Sequence, residues 1–265
     1  MARLFLSLLG SFQVELDGQP VTGFECMKTR ALLAYLADQP GKRMSRSSLA
    51  GLLWPDRCES AALGNLRHAL ANLRSTIHDV QISPPYLVIE REAIALDLQS
   101  DISIDTYEFC RLVDLASCWN KPTSLYGNLL QLAVSLYRSD FLEGFQLADT
   151  PDFEEWILAR RVRYREQYLD VLYELAETSL TDGAYDQAKR YAQYQIALES
   201  YREEAHCQLM RALALGGHRC KALAQYTKLK VVLKKELDVD PSREAQQLYE
   251  YIRDNHSLSE INSLI

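Results

Sequence analysis

Over the first hundred positions the apolar residues fall in short runs broken by turn chemistry; beyond them they recur at helical spacing. Residues 4–8 and 12–16 read as strands, and Asp17-Gly18 before Pro20-Val21 supplies the turn of a small antiparallel sheet. A helix is predicted over about 28–37, stopped by Gln39-Pro40-Gly41. Ser45 can cap a second helix over 47–53, which Pro55 ends, and Ser60 opens a third that runs to about His78. Residues 86–90 and 93–98 form a hairpin around Arg91-Glu92. Sheet, three helices and hairpin, in that order, make a winged helix-turn-helix, in which the third helix enters the DNA major groove.

The third helix can be tested on its own terms. At about 100° per residue, Leu63, Leu66, Leu70, Leu73 and Ile77 fall within roughly 80° of arc, a clean core stripe. The opposite face carries Gly64, His68, Ala71, Asn72 and Ser75, with Arg67 and Arg74 at the flanks, and residues 61–77 contain no acid. A groove-facing surface needs small residues for close approach, polar ends for base edges and cations for phosphate. An ordinary solvated helix face would carry Glu and Lys in quantity.

From Asp101 onward the pattern is helical without evident strands. Ser103 or Asp105 caps a helix to about Trp119, and Thr123 or Ser124 starts another to Arg138. After a loop over 139–148, Thr150-Pro151-Asp152 with Glu154 and Glu155 marks a strong helix start by cap, proline and dipole. That helix reaches about Leu180, ended by Asp182-Gly183. Gly183 and Gly217, Leu175 and Leu209, and Ala188 and Ala222 are each 34 residues apart, the helix-turn-helix period of tetratricopeptide repeats. The segment Leu237 to Ser242 then breaks the chain and caps a last helix over about 243–253.

Composition narrows the class. With 265 residues, 48% hydrophobic and 25% charged, and only 11 Gly and 8 Pro, the chain is globular and long enough for two domains. No apolar run approaches the ~18 residues of a membrane span, and no membrane partner is expected. The run over 4–9 follows a single Arg3 and precedes no small-residue cleavage site, so a cytoplasmic protein is expected rather than a secreted one. The net charge of −7 argues against a nucleic-acid partner until it is located. Residues 1–100 balance at ten basic and ten acidic, whereas 101–265 hold nineteen and twenty-six. Within 28–74, eight basic residues face three acidic ones, an electrostatic footprint on one domain only.

Enzymatic signatures are missing. There is no phosphate-binding GxxxxGK[ST], no GxGxxG, no GxSxG and no HExxH. The six cysteines form no CxxC pair, and the five histidines (His68, His78, His206, His218, His256) are isolated, so neither metal nor other cofactor is expected. Glu154-Glu155 and Glu203-Glu204 read as helix-start charge, and Arg160, Arg161, Arg163 and Arg165 as a solvated helix face.

Lys28-Thr29-Arg30-Ala31-Leu32-Leu33-Ala34-Tyr35-Leu36, Leu53-Trp54-Pro55-Asp56 and Asn65-Leu66-Arg67-His68-Ala69-Leu70 with Leu73-Arg74 resemble the response-regulator-type winged helix of SARP-type activators, the antibiotic-pathway regulators and their relatives. Phe141-Leu142-Glu143-Gly144, the stretch from Pro151 to Trp156, and Glu236-Leu237-Asp238-Val239-Asp240-Pro241-Ser242 resemble the bacterial transcriptional activator domain that follows it in that family. Order and spacing cover nearly the whole chain. The resemblance implies a sequence-specific activator that binds direct repeats in double-stranded promoter DNA, usually as a head-to-tail homodimer, and recruits RNA polymerase, the helical domain making protein contacts.

Carried onto this chain, base readout falls to Asn65, His68, Asn72 and Ser75, and phosphate contact to Lys28, Arg30, Arg46, Arg67 and Arg74, with Arg91 at the wing tip. Ser75 stands where the family often has Arg, so this face is less basic than is common there. Larger relatives append an ATPase domain; neither that nor a phosphoacceptor receiver is expected here. The expected architecture is mainly α with a small β component: a winged helix over 1–99 and an all-α, tetratricopeptide-like domain over 100–265. The competing reading is a protein-interaction adaptor whose winged helix is only a scaffold.

Overall fold

A computed structural model describes residues 3–118 and 124–254. The expected helix end at Trp119, the start at Thr123 and His256 lie outside the described residues. The chain divides into two compact units, Met1–Ser117 with Ser135–Glu166, and Cys118–Val134 with Gln167–Ile265.

In the first unit, β1 (Leu4–Ser7) pairs antiparallel with β2 (Gln13–Leu16), Leu6 facing Val14, and β2 pairs with the short β3 (Gln19–Pro20). The turn after β2 places Asp17 at φ 52° and Gly18 at φ 74°, the two left-handed residues of a type I′ hairpin, which Asp-Gly tolerates at least strain. Three helices follow, α1 (Met27–Asp38), α2 (Arg46–Leu53) and α3 (Glu59–Thr76). Ser45 caps α2 as expected, its Oγ accepting the Ser48 N–H at 3.0 Å. The α3 cap is Cys58 rather than a residue at Ser60, with Glu59 already in the first turn. A second sheet joins β4 (Met44–Ser45), β5 (Leu87–Ile89) and β6 (Ala93–Leu96) in the order β4-β6-β5, so the predicted hairpin is present.

Residues 102–104 are not the approach to a helix but a strand, β7 (Ile102–Ile104), parallel to β1 with Leu4 opposite Ile102. Three residues are too few to display a period, and the pairing joins positions about a hundred apart, which no local window registers.

The strand delivers Asp105 to the centre of the unit at the start of α4 (Asp105–Ser117). Its carboxylate accepts the N–H groups of Leu8 (2.8 Å), Leu9 (2.9 Å) and Thr106 (2.8 Å), and Arg138 Nη2 at 2.8 Å. Arg138 also donates to the Leu9 carbonyl at 3.2 Å and to Ser7 Oγ at 3.1 Å. Burial pushes the Asp105 carboxyl above its ordinary range, outweighing the N–H groups and Arg138 that pull it down.

The same unit takes in the first part of α6 (Pro151–Thr181). Asp38, buried at the end of α1, receives Arg160 Nε at 2.6 Å and Tyr164 Oη at 2.7 Å. Arg161 donates to the carbonyls of Phe141 (2.9 Å) and Leu142 (2.7 Å), and Arg165 pairs with Asp140. Three of the four arginines expected on a solvated face are therefore half-buried fasteners; Arg163 alone is exposed. Sequence spacing on a helix reveals neighbours within that helix, not the carboxylate brought from residue 38. Trp156 packs against Tyr35, Phe141 and Phe153 at ring distances of 4.9, 5.4 and 5.0 Å.

The second unit contains most of α5 (Ser124–Leu136), the remainder of α6, α7 (Tyr185–Leu198), α8 (Glu203–Leu215), α9 (Arg219–Glu236) and α10 (Arg243–Arg253). Its repeat is visible in individual hydrogen bonds. Ala184 N–H donates to the Ser179 carbonyl at 2.8 Å, and His218 N–H, 34 residues on, donates to Leu213 at 2.7 Å. These are Schellman closures, and each runs through a left-handed glycine, Gly183 (φ 73°) and Gly217 (φ 80°). Ala188 and Ala222, the matched small residues, are both fully buried.

Between these turns α8 is buried almost along its length and brings polar groups with it. Gln208 donates to Glu177 at 2.8 Å and to the Tyr173 carbonyl at 3.1 Å, and accepts from Gln195 at 2.9 Å. Arg211 Nη1 pairs with both Glu177 oxygens, at 2.8 and 3.0 Å. His206 lies between the Ser200 carbonyl (Nε2, 3.0 Å) and Gln225 Nε2 (Nδ1, 2.8 Å). That arrangement requires Nε2 to donate and Nδ1 to accept, the neutral tautomer. Ser242 caps α10 as expected, accepting the Ala245 N–H at 3.3 Å.

Two outcomes follow from these networks. Asp105→Ala strands the Leu8 and Leu9 N–H groups and should lower stability by about 3 kcal/mol, read as a fall in the urea midpoint at unchanged slope. Burial holds the His206 imidazole below its usual pKa, so the unfolded chain binds the extra proton first. Stability should drop as pH falls below about 6.5 and level off beneath the folded-state value. His206→Gln should flatten that limb in thermal melts taken from pH 7 to pH 5.

Candidate nucleic-acid interface

The apolar side of α3 (Ala62, Leu66, Ala69, Leu70, Leu73) is buried in the first unit. On its outer side Ala61, Arg67, His68, Ala71 and Ser75 are exposed, with Gly64 half-covered, and no acid lies among them. Neither Arg67 nor His68 has an ion-pair partner among the described residues. At the start of the helix the exposed Cys58 thiol is held below its ordinary range, first by the Ser60 hydroxyl and then by the Ala61 N–H. The Ala61 N–H lies in the first turn of α3, the end of a helix at which an anion is favoured.

The remaining predicted residues occupy different places. Asn65 is half-buried on one edge of the helix. Asn72 is committed to the preceding loop: its Oδ1 accepts the Glu25 N–H at 3.2 Å and its Nδ2 donates to the Gly23 carbonyl at 3.3 Å, beside Thr76 Oγ1 on the same carbonyl at 3.0 Å. Reading a base would require Asn72 to release both bonds. Arg74 pairs through Nε with fully buried Asp79 at 3.0 Å, and Asp79 in turn accepts the Leu87 N–H at 3.0 Å, so Arg74 ties the end of α3 to β5. Lys28 sits 5.5 Å from the Trp54 ring centre and Arg30 5.6 Å from that of Phe24. Both cations pack on an aromatic face.

Arg46 anchors the wing, donating through Nε and Nη2 to the Glu90 carbonyl at 3.1 and 3.0 Å. At the tip Arg91 is 95% exposed with Glu92 at 3.4 Å, and Glu90 pairs with Arg43 at 2.9 Å. Two carboxylates beside two arginines leave the wing tip nearly neutral.

Sequence reasoning passed over Arg57 as a site residue. It is exposed immediately before α3 and unpaired among the described residues; its only signal was membership in the basic window over 28–74. Among the described residues no group of three His, Cys, Asp or Glu could hold a metal, and no helix is long and apolar enough to cross a membrane.

The bacterial transcriptional activator domain model matches residues 105–253. The chain belongs to that family. Its curated relatives include the regulatory protein AfsR of Streptomyces coelicolor, 30% identical over 251 residues, which cover 94% of this chain and 24% of AfsR. The transcriptional regulatory protein EmbR of Mycobacterium tuberculosis is 24% identical over 261 residues, covering 94% of this chain and 63% of EmbR. This family member therefore spans about a quarter of the AfsR it matches and under two-thirds of EmbR. In structure it matches Mycobacterium tuberculosis EmbR in complex with a low affinity phosphopeptide, with a TM-score of 0.79 at 24% identity over 100% of this chain and 68% of that one. The match establishes the fold: mainly α with a small β component, as the SARP-type resemblance implied.

The division within α3 has a direct consequence. Asn72→Ala should lower stability by about 1–2 kcal/mol, whereas His68→Ala and Ser75→Ala should stay within about 0.5 kcal/mol, compared by denaturant midpoints.

Proposed function

We propose that this chain is a sequence-specific DNA-binding transcriptional activator. Residues 1–99 bind promoter direct repeats through α3, and residues 100–265 contact RNA polymerase or a partner protein. The observation that carries this reading is the exposed, acid-free face of α3, whose small residues Gly64 and Ala71 permit close approach to a groove. His68 and Ser75 read base edges, with Asn65 at the margin, and Arg67 and Arg57 contact phosphate. Lys28, Arg30, Arg46 and Arg74 add phosphate contacts while keeping their internal partners; Arg91 adds little at a tip balanced by Glu92. Two copies bind head to tail on the repeat, and the protein works in the cytoplasm, on the nucleoid when DNA-bound. The names of AfsR and EmbR as regulatory proteins support the same reading.

Selection from fragmented genomic DNA at ~150 mM salt suppresses purely electrostatic binding. It should enrich a short motif repeated at about one helical turn, ~10–11 bp. His68→Glu with Ser75→Glu should abolish that retention without moving the thermal midpoint. Recovery of random fragments, equal for both proteins, would favour the adaptor reading instead.

A further inference from the structure

The second unit, proposed above to contact RNA polymerase or a partner protein, carries a charged face on which such a contact can be placed. Residues 219–235 of α9 hold six basic side chains and no acidic one, in a chain of net charge −7. Ala222, Gln225, Leu229 and Leu233 are buried and define the inner side of this helix. At about 100° per residue, the outer side runs through Cys220, Ala224, Thr227 and Val231, all exposed, Val231 at 62%. Their spacing of four, three and four is that of the a and d positions in a helix–helix seam.

The lysines fit the same register. Lys221, Lys228 and Lys235 lie seven apart along one edge of the seam, at e positions, and Lys230 lies on the other edge, at g. All four are exposed with no ion-pair partner among the described residues. Lys234 and Arg219 are already engaged, Lys234 by Asp238 at 2.6 Å and Arg219 by the carbonyls of Ile252 and Arg253.

We propose that this outer face of α9 docks an acidic amphipathic helix of a partner protein. Four unpaired ammonium groups beside one seam call for carboxylates at the facing flank positions. Val231, exposed among charges, gains only from an apolar side chain opposite it. Nucleic acid fits less well. The centre of the face has no long donor or acceptor to read base edges, the unengaged cations are lysines rather than guanidinium forks, and a phosphate backbone offers Val231 nothing. The small seam residues bury little area, so the contact is weak, charge-led and sensitive to salt. This inference rests on the protein-contact half of the proposed function and is independent of its DNA-binding half.

The test is fluorescence anisotropy with the full chain and three labelled probes. These are a peptide of three heptads with Leu at a and d and Glu at e and g, the same peptide with Lys for Glu, and a random DNA duplex of similar length. The Glu peptide should bind and weaken about tenfold between ~50 and ~300 mM salt; the Lys peptide should not bind. The triple variant Lys221→Glu, Lys228→Glu, Lys235→Glu should lose the Glu peptide and acquire the Lys peptide. Should it melt early by circular dichroism, Lys228→Glu alone should shift the preference in the same direction. Val231→Ser should weaken the Glu peptide severalfold without changing charge. The proposal is overturned if the Glu peptide fails to bind, or if its binding ignores these substitutions. It is equally overturned if the duplex is what the lysine variants release, or if the wild-type chain self-associates through this face and the lysine variants are monomeric.

Discussion

A buried carboxylate organises the first compact unit. Asp105 stands where β7 becomes α4, and its oxygens take up the N–H groups that β1 leaves unpaired as it runs out at Leu8 and Leu9. Arg138 closes the arrangement from the loop before α6, reaching both the carboxylate and the Leu9 carbonyl. Unpaired backbone donors in a dry interior cost as much as a broken hydrogen bond. The strand end, the helix start and the 138–142 loop are therefore fixed together. The bridge between Leu9 and Phe141, and the aromatic cluster around Phe141, depend on that closure. The winged helix is thus part of a larger packed body that includes Ser135–Glu166, and Asp38 with Arg160 and Tyr164 fastens α1 to it.

The second unit solves a different problem, stacking antiparallel helices at close range. Schellman turns at Gly183 and Gly217 end two helices with the same hydrogen bond, and the fully buried Ala188 and Ala222 let the following helices approach. The α8 helix is covered on nearly all sides and still carries polar side chains into the interior. Gln208, Arg211 and His206 each have partners from neighbouring helices, and such directional polar contacts favour one packing over its close alternatives.

On α3 the polar residues divide by side. One edge, with Asn72 and Thr76, holds the loop near Gly23; the end, through Arg74 and buried Asp79, holds β5. What remains open is a narrow strip of small residues with Arg67, His68 and Ser75. Both α3 and α9 are long, free of acid on the outer face and flanked by cations. They differ in the centre of the face: a histidine and a serine on α3, a valine with small residues on α9. On that difference rest the two proposals, nucleic acid for α3 and a partner protein for α9.

Local pattern alone determined most of the elements in this chain. The Asp-Gly turn, the Ser45 and Ser242 caps, the start of α6 at Pro151, the three helices before the wing and the 34-residue repeat all depend on contacts within a few residues, which periodicity and capping chemistry report directly. The core stripe of α3 was legible for the same reason. Tertiary structure alone decided which polar residues are available. Asn72, Arg46 and Arg74 look identical in sequence to residues waiting for DNA, and Arg160, Arg161 and Arg165 look like a solvated face. Each instead meets a partner on another element, from five to more than a hundred positions away in the chain. A side chain's own helix fixes the direction in which it points, but only the folded chain supplies the group that satisfies it, as at Asp105 and β7.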